Sequence, residues 1–194
     1  MKSWIILAVM MLSIGTMFAQ QETLFKHVRV RGAFGGPITE YSINNDFNTS
    51  VGGGGAVVLN NFFIGGYGMA SADFNKLYED GDLKVLDIGH GGFWLGGTFM
   101  SRKLVHVYSS VRLGWGAINI ELDDTVPYQD LDKIFVATPE IGIEMNITTW
   151  FHIAGTVGYR ATTGVNENLG YNNDDFSGMI GAVTLRFGWF GSRR

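Results

Sequence analysis

The chain is a succession of segments that alternate apolar with polar or small residues at a period of two, joined by connections that are by turns long and short. No other feature constrains the fold as strongly. A period of two belongs to strands, and no window of comparable length carries the 3.6-residue period of an amphipathic helix. In the segment 151–160, Phe151, Ile153, Gly155, Val157 and Tyr159 fall on one face and His152, Ala154, Thr156, Gly158 and Arg160 on the other. The preceding segment sets Phe135, Ala137, Pro139, Ile141, Ile143 and Met145 against Ile134, Val136, Thr138, Glu140, Gly142 and Glu144. One face is apolar and the other carries charge.

Eight strands are expected, over 25–35, 51–59, 62–72, 84–98, 104–118, 134–146, 150–161 and 177–189. The long connections are 36–50, 73–83, 119–133 and 162–176; the short ones are Asn60-Asn61, 99–103 and 147–149. Long and short alternate strictly, so the long loops gather at one end and the short turns at the other. A soluble barrel has no reason to sort its loops in this way, whereas a barrel in an outer membrane has short periplasmic turns and longer external loops. Nearly every segment reaches the ~9 to 11 residues that a tilted span requires. Aromatics also sort, with Phe25, Phe62, Phe63, Phe99, Trp150, Phe151, Trp189 and Phe190 at the short-turn end and Phe34, Trp115, Tyr159 and Phe176 toward the loops. Such girdles mark headgroup regions. The expected fold is all-β: a closed, eight-stranded, antiparallel up-and-down transmembrane β-barrel.

The first residues have the layout of a cleavable secretory signal peptide: Lys2, an apolar run from Trp4 to Ile14, then small and polar residues up to Ala19. That run is too short to cross a bilayer as a helix, which takes ~20 residues. Cleavage after Ala19 leaves 20–194 as one barrel domain, with no proline-rich or serine-rich linker to divide it. The chain has no cysteine, which excludes disulfides and the lipid-modified cysteine of a lipoprotein. Its formal net charge is −4, and losing Lys2 makes it more negative, which argues against nucleic acid as a partner. The acids cluster in 73–82, 121–132 and 167–175, within or beside the long connections. Glycine is abundant, at 28 of 194 residues, and glycines opposite Tyr67 and Met69 suit a narrow, filled interior.

The segments Gly52-Gly-Gly-Gly55 and Phe63-Ile-Gly-Gly-Tyr67, the final Leu185-Arg-Phe-Gly-Trp-Phe190 and the leader ending Phe18-Ala19-Gln20 carry a resemblance. In pattern the chain resembles the small eight-stranded outer-membrane barrels, the class that holds the membrane domain of OmpA and OmpX, and the outer-membrane β-barrel domain family common in Bacteroidetes. The resemblance covers essentially all of 20–194. It implies an outer-membrane location in a Gram-negative envelope.

The inward faces are expected to hold Arg29, Arg31, Arg112, Arg160 and Arg186 with Glu140 and Glu144, and also His27, His106 and His152. An eight-stranded barrel is only wide enough for side chains to fill it, so these groups read as a paired plug rather than a channel lining. A three-residue turn at 147–149 would set Glu144 directly opposite His152. The histidines and Glu144 have none of the spacings of a metal site, such as His-Glu-x-x-His, and no cofactor is implied. Ser109 and Ser110, beside His106, are the nearest approach to hydrolytic chemistry, at the wrong end for outer-leaflet lipid. Asp123, Asp124, Asp130 and Asp132, or Asn172, Asn173, Asp174 and Asp175, offer oxygen ligands without the calcium-loop pattern. The reading is of a non-enzymatic outer-membrane barrel, with membrane lipid around it and a surface ligand or envelope protein as partner. A lipid-modifying enzyme and a narrow channel are the alternatives.

Overall fold

The computed structural model describes residues 29–43, 49–71, 85–121, 131–165 and 172–191. Eight strands follow in chain order: β1 (Val30–Ser42), β2 (Thr49–Leu59), β3 (Phe62–Ser71), β4 (Val85–Phe99), β5 (Val105–Glu121), β6 (Leu131–Asn146), β7 (Phe151–Thr163) and β8 (Gly178–Trp189). Each pairs antiparallel with the next, and β8 returns to β1, from Ala33 opposite Trp189 to Ser42 opposite Ile180. The sheet closes into a barrel. Closure pairs every strand on both sides, which a sheet surrounded by lipid requires. The signal-peptide segment 1–19, Phe25 and His27 lie outside the described residues.

Alternation sorts the side chains as the pattern requires. On β7, His152, Ala154, Thr156 and Arg160 are buried, while Gly155, Val157 and Tyr159 are exposed. The contrast is sharp on β6, where Ile143 is 58 % exposed and its neighbour Glu144 1 %. An outer surface of isoleucine, valine, phenylalanine and tryptophan around a polar inside is the reverse of a water-soluble barrel. Its solvent is lipid. Outward aromatics gather in two groups: Trp150, Phe151 and Phe187 near the short turns, with rings 4.8 to 6.1 Å apart, and Phe93, Trp115 and Phe135 further toward the loops. Phe34, Phe63, Phe176 and Phe190, expected in the girdles, instead point inward, the first three buried and Phe190 packed against the core.

Those inward rings explain much of the glycine. A Cβ on Gly54 would lie 2.9 Å from the Trp94 ring, and side chains on Gly96, Gly114 and Gly188 would collide with Phe63, Tyr67 and Phe34. Large rings on some strands fill space that glycine vacates on others. Phe34, Phe63 and Trp94 thereby meet edge to face, 5.2 to 5.4 Å apart.

The first strand departs most from expectation. It does not end at Gly35 but continues through Pro37 to Ser42, so the first connection shrinks from 36–50 to the neighbourhood of 43–48. Gly35-Gly36-Pro37 reads as a turn by composition. In the barrel, Pro37 keeps its place opposite Gly53 of β2, while β1–β8 pairing skips Gly36 and Pro37 between Gly35 opposite Phe187 and Ile38 opposite Thr184. Proline has no N–H to give that ladder. Pro139 leaves the same kind of gap between β6 and β7, where pairing jumps from Ala137 to Glu140.

The short connections are Asn60-Asn61, 100–104 and 147–150. Asn60 adopts φ 56°, which asparagine tolerates better than most residues. In the 147–150 turn, Thr148 Oγ1 accepts from Phe151 N at 2.9 Å, and the N–H groups of Ile147 and Thr148 both donate to the Phe151 carbonyl. Pairing begins at Asn146 opposite His152, so five residues, 147–151, separate the paired strands rather than three. Glu144 consequently stands opposite Ala154, and His152 opposite Asn146, a correction of two residues to the expected register. A slip of two preserves every facing, whereas a slip of one would have turned the charges into lipid.

Candidate functional site in the barrel interior

Two ion-pair clusters cross the inside of the barrel. Toward the loop end, Glu40 accepts from Arg112 Nη2 and, at 3.0 Å, from Arg160 Nη1. Arg112 also lies 3.6 Å from Glu140 and donates to Met69 Sδ. Glu140 accepts from Ser110 Oγ and, at 2.9 Å, from Thr156 Oγ1. Glu40 and Arg112 stand on β1 and β5, four strands apart in a ring of eight and therefore on opposite walls. Their contact spans the lumen from wall to wall. Glu40 and Arg112 are 1 % and 0 % exposed, and charges so deeply buried persist only when paired.

Toward the short-turn end, Glu144 is the shared acceptor. Arg186 Nη1 donates to its Oε2, His152 Nδ1 lies 2.6 Å from its Oε1, and His106 Nε2 is 3.8 Å away. The Arg186 guanidinium is also held over aromatic faces, 3.7 Å from the Phe34 centroid and 5.0 and 5.2 Å from those of Phe63 and Tyr108. Each such contact adds roughly 0.5 to 2 kcal/mol of attraction, the upper part when desolvated. The His152 ring stacks on Phe190 at 3.7 Å. Glu144 and His152 thus meet on the diagonal, although the expected pairing placed them face to face.

Of the residues expected inside, Arg112, Glu140, Glu144, His152, Arg160 and Arg186 are buried and brought together in these two clusters. Arg29 and Arg31 are not: both are exposed, at the rim of the short-turn end. The β1–β2 register shifts between Val30 and Gly32, and β1–β8 pairing begins only at Ala33, so this end of β1 projects past the closed wall. Glu40, which joins Arg112 to Arg160, was missed because it falls in the segment read as a loop. Phe34, Ile38 and Glu40 share one parity, and that signal was available.

The serines carry no catalytic arrangement. Ser110 is buried, donates to Glu140, and accepts from Tyr108 Oη at 3.2 Å and Trp94 Nε1 at 3.3 Å, while His106 Nδ1 lies 3.2 Å from the Lys103 carbonyl. Ser109 donates to the Glu140 carbonyl. His90 contacts Tyr67 Oη at 3.1 Å. Among the described residues, no group of three or more His, Asp or Glu side chains is arranged to hold a metal. Oxygens of 172–175 accept from backbone N–H groups: Asn172 Oδ1 from Asp174 N at 2.7 Å, Asp175 Oδ2 from Asn172 N at 2.8 Å, and Asn173 Oδ1 from Val165 N at 3.1 Å. Asp132 is buried; Asp123, Asp124 and Asp130 lie outside the described residues.

A closed eight-stranded antiparallel barrel, apolar outside and filled with paired charge inside, is a small outer-membrane β-barrel. No family model and no curated protein sequence matches the chain. Among solved structures it is similar to the N-terminal β-barrel domain of Pseudomonas aeruginosa OprF, with a TM-score of 0.56 at 10 % identity, covering 84 % of this chain and 100 % of that one. Neisserial surface protein A gives 0.48 at 12 % identity over 81 % and 92 % of the two chains. Ail, the attachment invasion locus protein of Yersinia pestis, gives 0.49 at 14 % over 81 % and 95 %. At such identities the likeness to the OprF domain is one of fold.

Proposed function

We propose that the chain is a non-enzymatic integral outer-membrane protein whose barrel is a sealed scaffold and whose loop-end connections make contacts at the cell surface. The observation that carries this reading is the buried Glu40 to Arg112 ion pair, which bridges the lumen between strands on opposite walls. A lumen shut by side chains moves the protein's chemistry to its ends. In this reading residues 1–19 are a removed signal peptide, 20–194 form the barrel, and the connections 72–84, 122–130 and 164–177 face outward, with the shorter 43–48 beside them. Lipid surrounds the barrel, and the partner is a surface ligand or another envelope protein.

The test is loop replacement. Exchanging 72–84 and 122–130 for two-residue turns leaves a barrel that still inserts, while envelope proteins or surface ligands captured by the wild type are lost. Capture unchanged by the exchange contradicts the reading. An altered lipid acyl profile in cells lacking the protein points to an enzyme instead.

A further inference from the structure

The short-turn end of the barrel is an open vestibule of about 740 Å³, and it is basic. Arg29, Arg31 and Arg102 line it, and none of the three makes an ion pair with a described residue. Among the described residues the one acid in its wall is Glu144, engaged by Arg186 and His152 and 3.8 Å from His106 Nε2. This concentration of positive charge runs against a chain whose formal net charge is −4. Two buried polar atoms in the same wall, His106 Nε2 and Arg186 Nε, have no hydrogen-bond partner among the described residues. His106 is 4 % exposed.

We propose that this vestibule binds a phosphoryl group, with Arg29, Arg31 and Arg102 supplying charge at the mouth and His106 a polar contact at its floor. Guanidinium forks match phosphoryl oxygens two at a time, which a point charge cannot do. A concave site with low-dielectric walls concentrates the field of its charges toward the opening. The volume lies within the ~300 to 1,000 Å³ typical of small-ligand sites. Because His106 Nδ1 faces the Lys103 carbonyl, Nε2, 3.8 Å from Glu144, is the ring nitrogen left without a hydrogen bond, and it can accept from a P–OH hydroxyl. The phosphoryl group has two sources at such a mouth: a free phosphate in the aqueous compartment, or the headgroup of an anionic phospholipid in the adjoining leaflet. Trp189, 70 % exposed, lies at the same rim, where lipid would meet it.

The experiment uses the mature chain refolded in uncharged detergent. Inorganic phosphate is titrated calorimetrically at low ionic strength, and retention of phosphatidic acid against phosphatidylcholine is read by native mass spectrometry. R31Q/R102Q is compared with K133Q, an exposed lysine at the loop end. Saturable one-to-one phosphate binding, weakened at least tenfold in R31Q/R102Q and unchanged in K133Q, supports a free-phosphate site. Selective retention of phosphatidic acid without free-phosphate binding, lost in R31Q/R102Q alone, supports a headgroup site. Both substitutions lie on an exposed rim, and the heat-shifted gel mobility of a folded barrel confirms that the variants are intact. No binding of either probe, or binding indifferent to the arginines, overturns the proposal.

Discussion

Replacing Glu40 with glutamine probes the interior where sequence and structure disagree most. The substitution keeps shape and volume but removes the charge and turns one acceptor oxygen into a donor amide facing an arginine. Glu40 accepts from Arg112 and Arg160, and each charge-assisted bond is worth roughly 1.5 to 3 kcal/mol. Two features cushion the loss: Arg112 keeps Glu140 at 3.6 Å, and Arg160 Nε still donates to the Phe176 carbonyl at 3.0 Å. Breaking a buried pair from one side costs about 3 to 5 kcal/mol, and with this backup a value near 3 is expected. At a urea slope of about 2 kcal/mol per molar, the unfolding midpoint falls by about 1.5 M. The assay is reversible urea unfolding in lipid vesicles, followed by tryptophan fluorescence and by gel mobility without boiling. In a cycle with Arg112→Met, a coupling of about 2 kcal/mol is expected, within the range for residues in direct contact. A midpoint shift below about 0.3 M, or coupling indistinguishable from zero, refutes the reasoning.

At the other cluster, Glu144→Gln lowers stability by about 1 to 3 kcal/mol without abolishing insertion, and a double-mutant cycle with His152→Ala that shows no coupling rejects the diagonal pair. Gly54→Leu forces a side chain into the space of Trp94 and costs about 1 to 3 kcal/mol with a shifted tryptophan emission; a neutral outcome removes the packing account of the glycines. The protein stays with the outer membrane through carbonate washing and migrates differently before and after boiling, and recovery in the soluble periplasmic fraction contradicts the membrane assignment.

Where a strand alternates without interruption, its facing was legible from residues alone: β7 and β6 present the inward and outward sets that their sequences spell. Alternation reports parity, so it survived the two-residue register error at the 147–150 turn, whose length depends on the bonds that Thr148 and Phe151 make across it. Parity fails where the chain breaks its own rule. Gly35-Gly36-Pro37 hid the second half of β1 and with it Glu40, because local composition signals a turn and the ladders with β2 and β8 override it. Arg29 and Arg31 have the opposite parity to Phe34, Ile38 and Glu40 and precede Ala33, where pairing with β8 begins. The aromatics were sorted by height along the barrel, which sequence position gives well, but Phe34 and Phe63 needed the inward glycines of neighbouring strands to show that they belong inside.

The claim that the lumen is sealed by Glu40 and Arg112 on its opposite walls is tested most directly by electrical recording of the purified, folded protein in planar bilayers. The wild type is expected to show no discrete conductance steps in concentrated potassium chloride, and the Glu40→Ala/Arg112→Ala variant to admit small, resolvable ones. Regular steps from the wild type, unchanged in the double variant, contradict the account.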